Sequence, residues 1–337
     1  MKIIVDAMSG DNAPEEIVKG AVRARDELGI EISLVGKTEV IEKLLEGTDR
    51  KGIEIVDARD VITMEDDPST ATRRKKDSSM AVALTKLRDG EGDAVVSAGS
   101  TGALLTGATL TVKRIHGIRR AALAPVLPAG ENGVMLIDCG ANVDCTAEYL
   151  LQFAYMGSFY ASRLMNCSNP RVGLLNIGTE STKGGDLQHQ AFELLEKAGQ
   201  EGRINFVGNV EGTGVFSGEA DVIVTDGFSG NILLKSAEGV IKLMMKELKG
   251  VFYKSFRNKM AAAVLKNDLS SMKKKLDVNE VGGTALIGIS KPVIKAHGSS
   301  NAASIFAAIR QAVSFRDSGI IEEIEKNIDY MKVKQEA

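Results

Sequence analysis

The sequence predicts an α/β protein, a three-layer α/β/α sandwich with a mostly parallel sheet, and three observations carry that prediction. Short runs rich in Val and Ile alternate with longer helical patterns, at 3–6, 31–35, 53–57, 94–97, 134–138, 172–176, 205–208 and 222–225. Those runs are continuously apolar rather than alternating, as strands covered on both faces are. Gly and small polar residues cluster just behind them, as in βα turns. Helical stretches at 15–28, 40–45, 78–87, 103–112 and 147–165 separate the strands, and an Ala- and Ile-rich helix follows at 302–313. The order reads as βαβ units with helices on both faces.

The chain has 337 residues, 44% hydrophobic and 26% charged, with mean hydropathy of -0.02. That length suggests two subdomains by the usual prior of roughly 150 residues each. The apolar fraction excludes a disordered chain, and no apolar run approaches the ~18 residues of a spanning helix. A net charge of -3 argues against a nucleic-acid partner. The start, Met1-Lys-Ile-Ile-Val-Asp, is a strand pattern and not a signal peptide. Cys139, Cys145 and Cys167 lack metal-ligand spacing, so a reduced, cytoplasmic protein is expected.

Five Gly-rich turns follow strands, at 6–14, 97–102, 138–144, 176–184 and 226–231. Open α/β sheets bind ligands at the carboxyl ends of their strands. Gly lets backbone N–H groups approach a ligand. One such turn is ordinary punctuation; five dense in Ser, Thr and Asn point to an oxyanion or phosphate site. Two nucleotide motifs fail. Gly36-Lys37-Thr38 follows a strand, but Glu31 stands where a P-loop needs its first Gly, and no strand is followed by G-x-G-x-x-G. Neither ATP nor NAD has direct support, and no cofactor is expected.

Lys183 lies among Gly, Ser and Thr and could hold an anion as a point charge, or be a solvated surface residue. His297 precedes Gly298-Ser299-Ser300-Asn301 and a helix, which gives it a proton or hydrogen-bond role as readily as a structural one. His116 and His189 have no such setting. Asp6, Asp138, Asp144 and Asp226 sit at strand ends. They could assemble a magnesium site, but bracing Gly turns by accepting backbone N–H groups is the favoured reading, so no metal is expected. Cys139 and Cys145 read as small buried residues rather than nucleophiles.

One segment departs from the overall charge. Between Lys242 and Lys275 stand ten basic residues and two acids. Ile241, Met245, Leu248, Phe252, Phe256 and Met260 recur there at helical spacing. An apolar stripe of this kind is commonly a packing or dimer face, and its basic flank suits anionic lipid or an acidic protein. Lys254, Phe256, Arg257 and Lys259 are the candidate docking residues.

In this order, the five turns together with Gly282-Gly283, Gly288 and His297-Gly298-Ser299 resemble the bacterial PlsX phosphate acyltransferases, over residues 1 to about 315. The resemblance implies an isocitrate or isopropylmalate dehydrogenase-like or phosphotransacetylase-like fold. The implied reaction makes acyl-phosphate from fatty acyl-[acyl-carrier-protein] and inorganic phosphate. It further implies a homodimer at the inner face of the cell membrane, in peripheral contact with anionic lipid. The acyl carrier protein and a membrane glycerol-3-phosphate acyltransferase of the PlsY type are the implied partners. Residues 1–125 plus 285–337 would form the first subdomain. Residues 126–284 would form the second, with the dimer interface and the basic helical segment 240–276. Ser9, Ser100, Gly185 and Thr284-Ala285 depart from the family pattern, and Ser9 is expected to take an awkward turn conformation.

On this reading Ser97, Ser100, Thr101 and Lys183 hold phosphate. Lys183, Asn231 and His297 are the catalytic candidates. Asn231 and His297 donate to the developing oxyanion, or His297 protonates the leaving thiolate. Asp6, Asn12, Asp138, Asn142 and Asp226 support the turns. The competing readings are acyl transfer between CoA and phosphate, a metal- and nucleotide-dependent dehydrogenase, and a non-catalytic membrane scaffold.

Overall fold

The computed structural model describes residues 1–130, 132–276 and 282–333. In the N-terminal part, β1 (Lys2–Asp6), β2 (Glu31–Gly36), β3 (Ile53–Asp57) and β4 (Ala94–Ser97) alternate with α1 (Glu15–Leu28), α2 (Thr38–Leu44), α3 (Ala71–Arg74) and α4 (Ser79–Arg88). After α5 (Thr101–Gly107) come β5 (Ala122–Ala124), β6 (Val126–Leu127) and β7 (Val134–Ile137). They are followed by α6 (Ala147–Leu164), β8 (Arg171–Leu175), α7 (Asp186–Gln200), β9 (Asn205–Val210) and β10 (Val222–Val224). Three helices, α8 (Gly227–Tyr253), α9 (Phe256–Val264) and α10 (Lys266–Leu276), precede β11 (Thr284–Ile287) and β12 (Val293–Lys295). The order ends with α11 (Ala302–Asp317) and α12 (Ile320–Lys326).

The strands form two sheets, a seven-stranded one in the order β3-β2-β1-β4-β12-β11-β5 and a five-stranded one in the order β6-β7-β10-β8-β9. Most pairs are parallel; β11 runs antiparallel to β12 and β5, and β6 to β7. This is the mixed α/β architecture that the continuous apolar runs predict. Ile3, Ile4 and Val5 are all buried, because helices cover both faces of β1.

One core joins the two sheets. The Ile17, Val18, Ala21 and Ala24 stripe of α1 meets Ile305 and Ile309 of α11 in the same cluster as Met135 and Ile137 of β7. The two helices cross where a Cβ on Gly20 would stand 2.7 Å from the Ala302 carbonyl oxygen. The apolar α6 lies within that core, and its buried Gln152 is fully used. Its Oε1 accepts from Arg119 N at 2.8 Å, and Nε2 donates to the Gly117 and Met331 carbonyls.

Four strands were not read from the pattern: β5, β6, β11 and β12, of two to four residues each. The single helix expected over 103–112 is instead α5 followed by a wider π-helical turn at Ala108–Val112. In the basic segment, Ile241, Met245, Leu248 and Phe252 are half-buried, whereas Tyr253, Phe256, Met260 and Val264 are exposed. The side chains of Lys273, Lys274 and Lys275 lie outside the described residues. No helix among the described residues is long and apolar enough to cross a membrane.

Candidate active site

Three loops meet at the carboxyl ends of β1, β4 and β12. Asp6, the last residue of β1, is fully buried and accepts from Ser97 Oγ at 2.6 Å. That oxygen in turn accepts from Gly99 N at 3.1 Å, which fixes the turn after β4. The loop after β1 is stitched to the loop after β12. Asn12 Nδ2 donates to the Ser299 and Ser300 carbonyls, Asp11 N to the Gly298 carbonyl, and Ala302 N to Glu16 Oε2. Gly10 makes that approach possible, with φ at +117° and a virtual Cβ only 3.1 Å from the Gly298 oxygen. The awkward conformation expected of Ser9 therefore falls on Gly10, and Ser9 is not among the positive-φ residues. Ser100 turns its hydroxyl back as the cap of α5, 3.5 Å from Ala103 N.

The second group of loops comes from β7 and β10. The buried Asp138 carboxylate accepts from the backbone N–H groups of Leu123, Ala141 and Asn142 and from Asn142 Nδ2, at 2.7 to 3.2 Å. Burial raises its pKa and these donors oppose the rise. Asn142 also donates to the Ala121 carbonyl. Asp226 caps α8 by accepting from Ser229 N at 2.8 Å. Asp6, Asp138 and Asp226 each accept hydrogen bonds within these turns, and no group of three metal-ligating side chains converges among the described residues.

Between these loop groups lies a cleft of about 320 Å³. Thr101, Asn231 and His297 line it, joined by Lys235, Glu238 and Lys295. Asn231 packs over Gly140, whose virtual Cβ lies 3.5 Å from the Asn231 side chain. His297 sits at the mouth, where Nδ1 accepts from the Ser299 backbone at 3.2 Å and from its hydroxyl at 2.9 Å. The neutral ring therefore carries its proton on Nε2. Desolvation, and next the Lys295 ammonium, pull the imidazole below its ordinary pKa, with Lys235 and Lys242 adding to the effect.

Cys139 also lines the cleft, but its thiol is buried and donates to the Leu136 carbonyl at 3.8 Å. Burial, reinforced by Asp138, drives its pKa far above the usual thiol range. Cys145 is pushed up to about 12. Neither is an activated nucleophile.

Lys183 stands apart from this group. It is exposed in the loop after β8, where its carbonyl accepts from Asn176 Nδ2 at 3.0 Å. Neighbours of that loop, Asn176, Ile177 and Gly185, line a second cleft of about 500 Å³ with Ser229, Ile232 and Leu233 of α8. The α8 residues facing the first cleft (Asn231, Leu234, Lys235, Glu238) are offset by two positions from those facing the second, or about 200° around the helix. The helix thus separates the two clefts.

Lys295 is the residue that sequence reasoning missed. Its signal is a lysine closing the apolar run Val293-Ile294, immediately before Ala296-His297-Gly298. Lys235 and Glu238 were missed as well; they form an ion pair at 3.0 Å on α8.

The fold is that of the phosphotransacetylases. A phosphotransacetylase from Streptococcus pyogenes superposes with a TM-score of 0.63 at 19% identity, covering 94% of both chains. The EutD phosphotransacetylase from Staphylococcus aureus gives 0.61 at 17%, over 95% of this chain and 93% of that one. The chain belongs to the family described as "Fatty acid synthesis protein", whose model matches residues 1–323. Among its relatives, a phosphate acyltransferase from Oceanobacillus iheyensis is 46% identical over the whole of both chains. Another from Bacillus pumilus is 48% identical over 100% of this chain and 98% of its own.

Proposed function

We propose that this chain is an acyltransferase that moves a fatty acyl group from the thioester of an acyl carrier protein to inorganic phosphate, giving acyl-phosphate for phospholipid synthesis. The observation that carries this reading is the cleft at the strand ends, where cationic and neutral donors converge around a space suited to an anion and the one thiol on its wall is unreactive. Phosphate near neutral pH is itself an oxyanion nucleophile. Its oxygen attacks the thioester carbonyl carbon, a tetrahedral oxyanion forms, and the C–S bond breaks to release a thiolate that is then protonated. The protein's task is to hold phosphate against the carbonyl and to stabilise the oxyanion. Asn231 and the Nε2–H of His297 are the donors for that oxyanion. Thr101 borders the phosphate, while Ser97 and Ser100 brace the loop that presents it.

Lys183 is the rival cation, carried by an exposed loop across α8 from this cleft; a sharp rise in the phosphate KM of Lys183→Ala would place the phosphate on that side of the helix. An unchanged KM would remove it from the phosphate site. The enzyme acts as a homodimer in peripheral contact with the inner face of the membrane, handing acyl-phosphate to a membrane glycerol-3-phosphate acyltransferase. Exposed Phe256 and Met260 beside Lys254, Arg257 and Lys259 support docking through α9. Reversing the charge of those three cations should abolish sedimentation with anionic vesicles; undiminished sedimentation would leave the segment as packing surface alone.

The reading is tested by thiol release from palmitoyl-acyl-carrier-protein, with and without phosphate, in the presence of EDTA. Phosphate-dependent release with acyl-phosphate trapped by hydroxylamine is the expected result. Release from acetyl-CoA only would assign the chain to phosphotransacetylase chemistry, and silence with both donors would overturn the enzymatic reading.

A further inference from the structure

We infer that Lys295 is the cation that binds the phosphate co-substrate, held toward the cleft by a polar row that crosses four central strands of the larger sheet at the carboxyl ends of β1, β4 and β12. The inference rests on the acyl-to-phosphate reading above and names the residue at its centre. In the sheet register, Lys295 of β12 stands beside Ser97 of β4 on one side and Thr284 of β11 on the other. Ser97 in turn reaches Asp6 of β1. Four neighbouring strands, apolar but for Lys2 at the far end of β1, thus carry Asp6, Ser97, Lys295 and Thr284 in one line, and Lys295 and Thr284 open onto the cleft.

The ammonium of this row is under-served. Lys295 is 8% exposed, and its only hydrogen bond among the described residues goes to the neighbouring Ala296 carbonyl. An ammonium has three donors, so two remain. No carboxylate forms an ion pair with it among the described residues. Lys235, by contrast, is neutralised by Glu238. A buried charge without a partner is costly, and a dianionic oxygen ligand in the cleft supplies the missing acceptor and the missing charge.

The groups facing Lys295 set its titration. Burial pulls the ammonium down to about 8; Asp11 and Asp6 oppose that shift, and Lys235 on α8 adds to it. His297, beside it at the cleft mouth, has its pKa lowered by desolvation and by this ammonium. A lysine with a lowered pKa is charged below that value and loses its charge as pH rises through it. Phosphate affinity should therefore fall above about pH 8, and bound phosphate moves the limb further up.

Two experiments on the full chain test the inference. With acyl donor saturating, Lys295→Met should raise the phosphate KM by about 10- to 100-fold, with the donor KM little changed. Lys295→Arg, which cannot deprotonate in this range, should keep the phosphate KM nearer wild type and lose the alkaline limb. A phosphate KM within twofold of wild type in Lys295→Met would overturn the assignment.

The second experiment needs no variant and no turnover. Trace acetylation of wild-type protein by acetic anhydride, read by peptide mass spectrometry, should label Lys295, and inorganic phosphate should protect it. Equal labelling with and without phosphate would overturn the inference even if Lys295→Met failed to fold. Loss of the transferase reading would show instead as absent thiol release from wild-type protein, whatever the labelling result.

Discussion

His297→Ala is expected to lower kcat by about 10²–10³, or about 3–4 kcal/mol of transition-state stabilisation, with little change in either KM. The reason lies in how the ring is held. Ser299 occupies Nδ1 from two directions, so Nε2–H is fixed as a donor at the cleft mouth. Desolvation and the Lys295 ammonium lower the imidazole pKa, which favours the neutral ring, a hydrogen-bond donor to an oxyanion rather than a cationic acid. Two further results follow. Any limb of the wild-type kcat that follows this ring should lie below the ordinary imidazole range, because desolvation and the Lys295 ammonium lower its pKa. His297→Gln, whose Nε2 can also donate, should recover part of the rate that alanine loses. Steady-state kinetics decide the matter. Turnover near wild type in the alanine variant would take His297 out of the chemistry, and a kcat that falls as rising pH deprotonates the ring would restore the acid role.

The sequence made the parallel framework legible because strands buried on both faces are uninterrupted apolar runs. Residues 53–57 and 94–97 coincide with β3 and β4, and the other six predicted strands match within two residues at either end. The missed strands offer less to read. β6 has two residues, β5 (Ala-Leu-Ala) carries no β-branched side chain, and β12 has only Val293 and Ile294 before Lys295. That miss hid Lys295, since the argument that a strand end faces ligand needs the strand to be seen first. Thr101, Asn231 and His297 were legible because Gly-rich turns announce themselves in one dimension. Lys183 sits in an equally Gly-rich turn, yet α8 lies between its neighbours' cleft and the one that holds His297. Turn composition reports that a loop follows a strand, and only the packing of α8 decides which cleft that loop borders.

The packing of α8 yields the largest expected effect on stability. Gly230→Ala should destabilise the chain by about 3 kcal/mol or more, at the upper end for an overpacked core. A Cβ on Gly230 would lie 2.0 Å from the Asp138 carbonyl oxygen and 2.9 Å from Thr225 Cγ2. The obstacle is backbone, and it cannot retreat. Asp138 N donates to the Thr225 carbonyl, while its carboxylate is gripped by Leu123, Ala141 and Asn142. The helix must therefore lift off the turn, carrying Asn231 and Lys235 out of the cleft, so activity should fall with stability. Gly239 supplies the control on the same helix, since nothing lies within 4 Å of its virtual Cβ. Gly239→Ala should stabilise by about 0.5–1 kcal/mol through helix propensity alone. Urea unfolding of the two variants beside wild type should thus move the midpoint in opposite directions. A Gly230→Ala midpoint at or above wild type would mean that α8 is not seated on the Asp138 turn, and the cleft built between them would have to be redrawn.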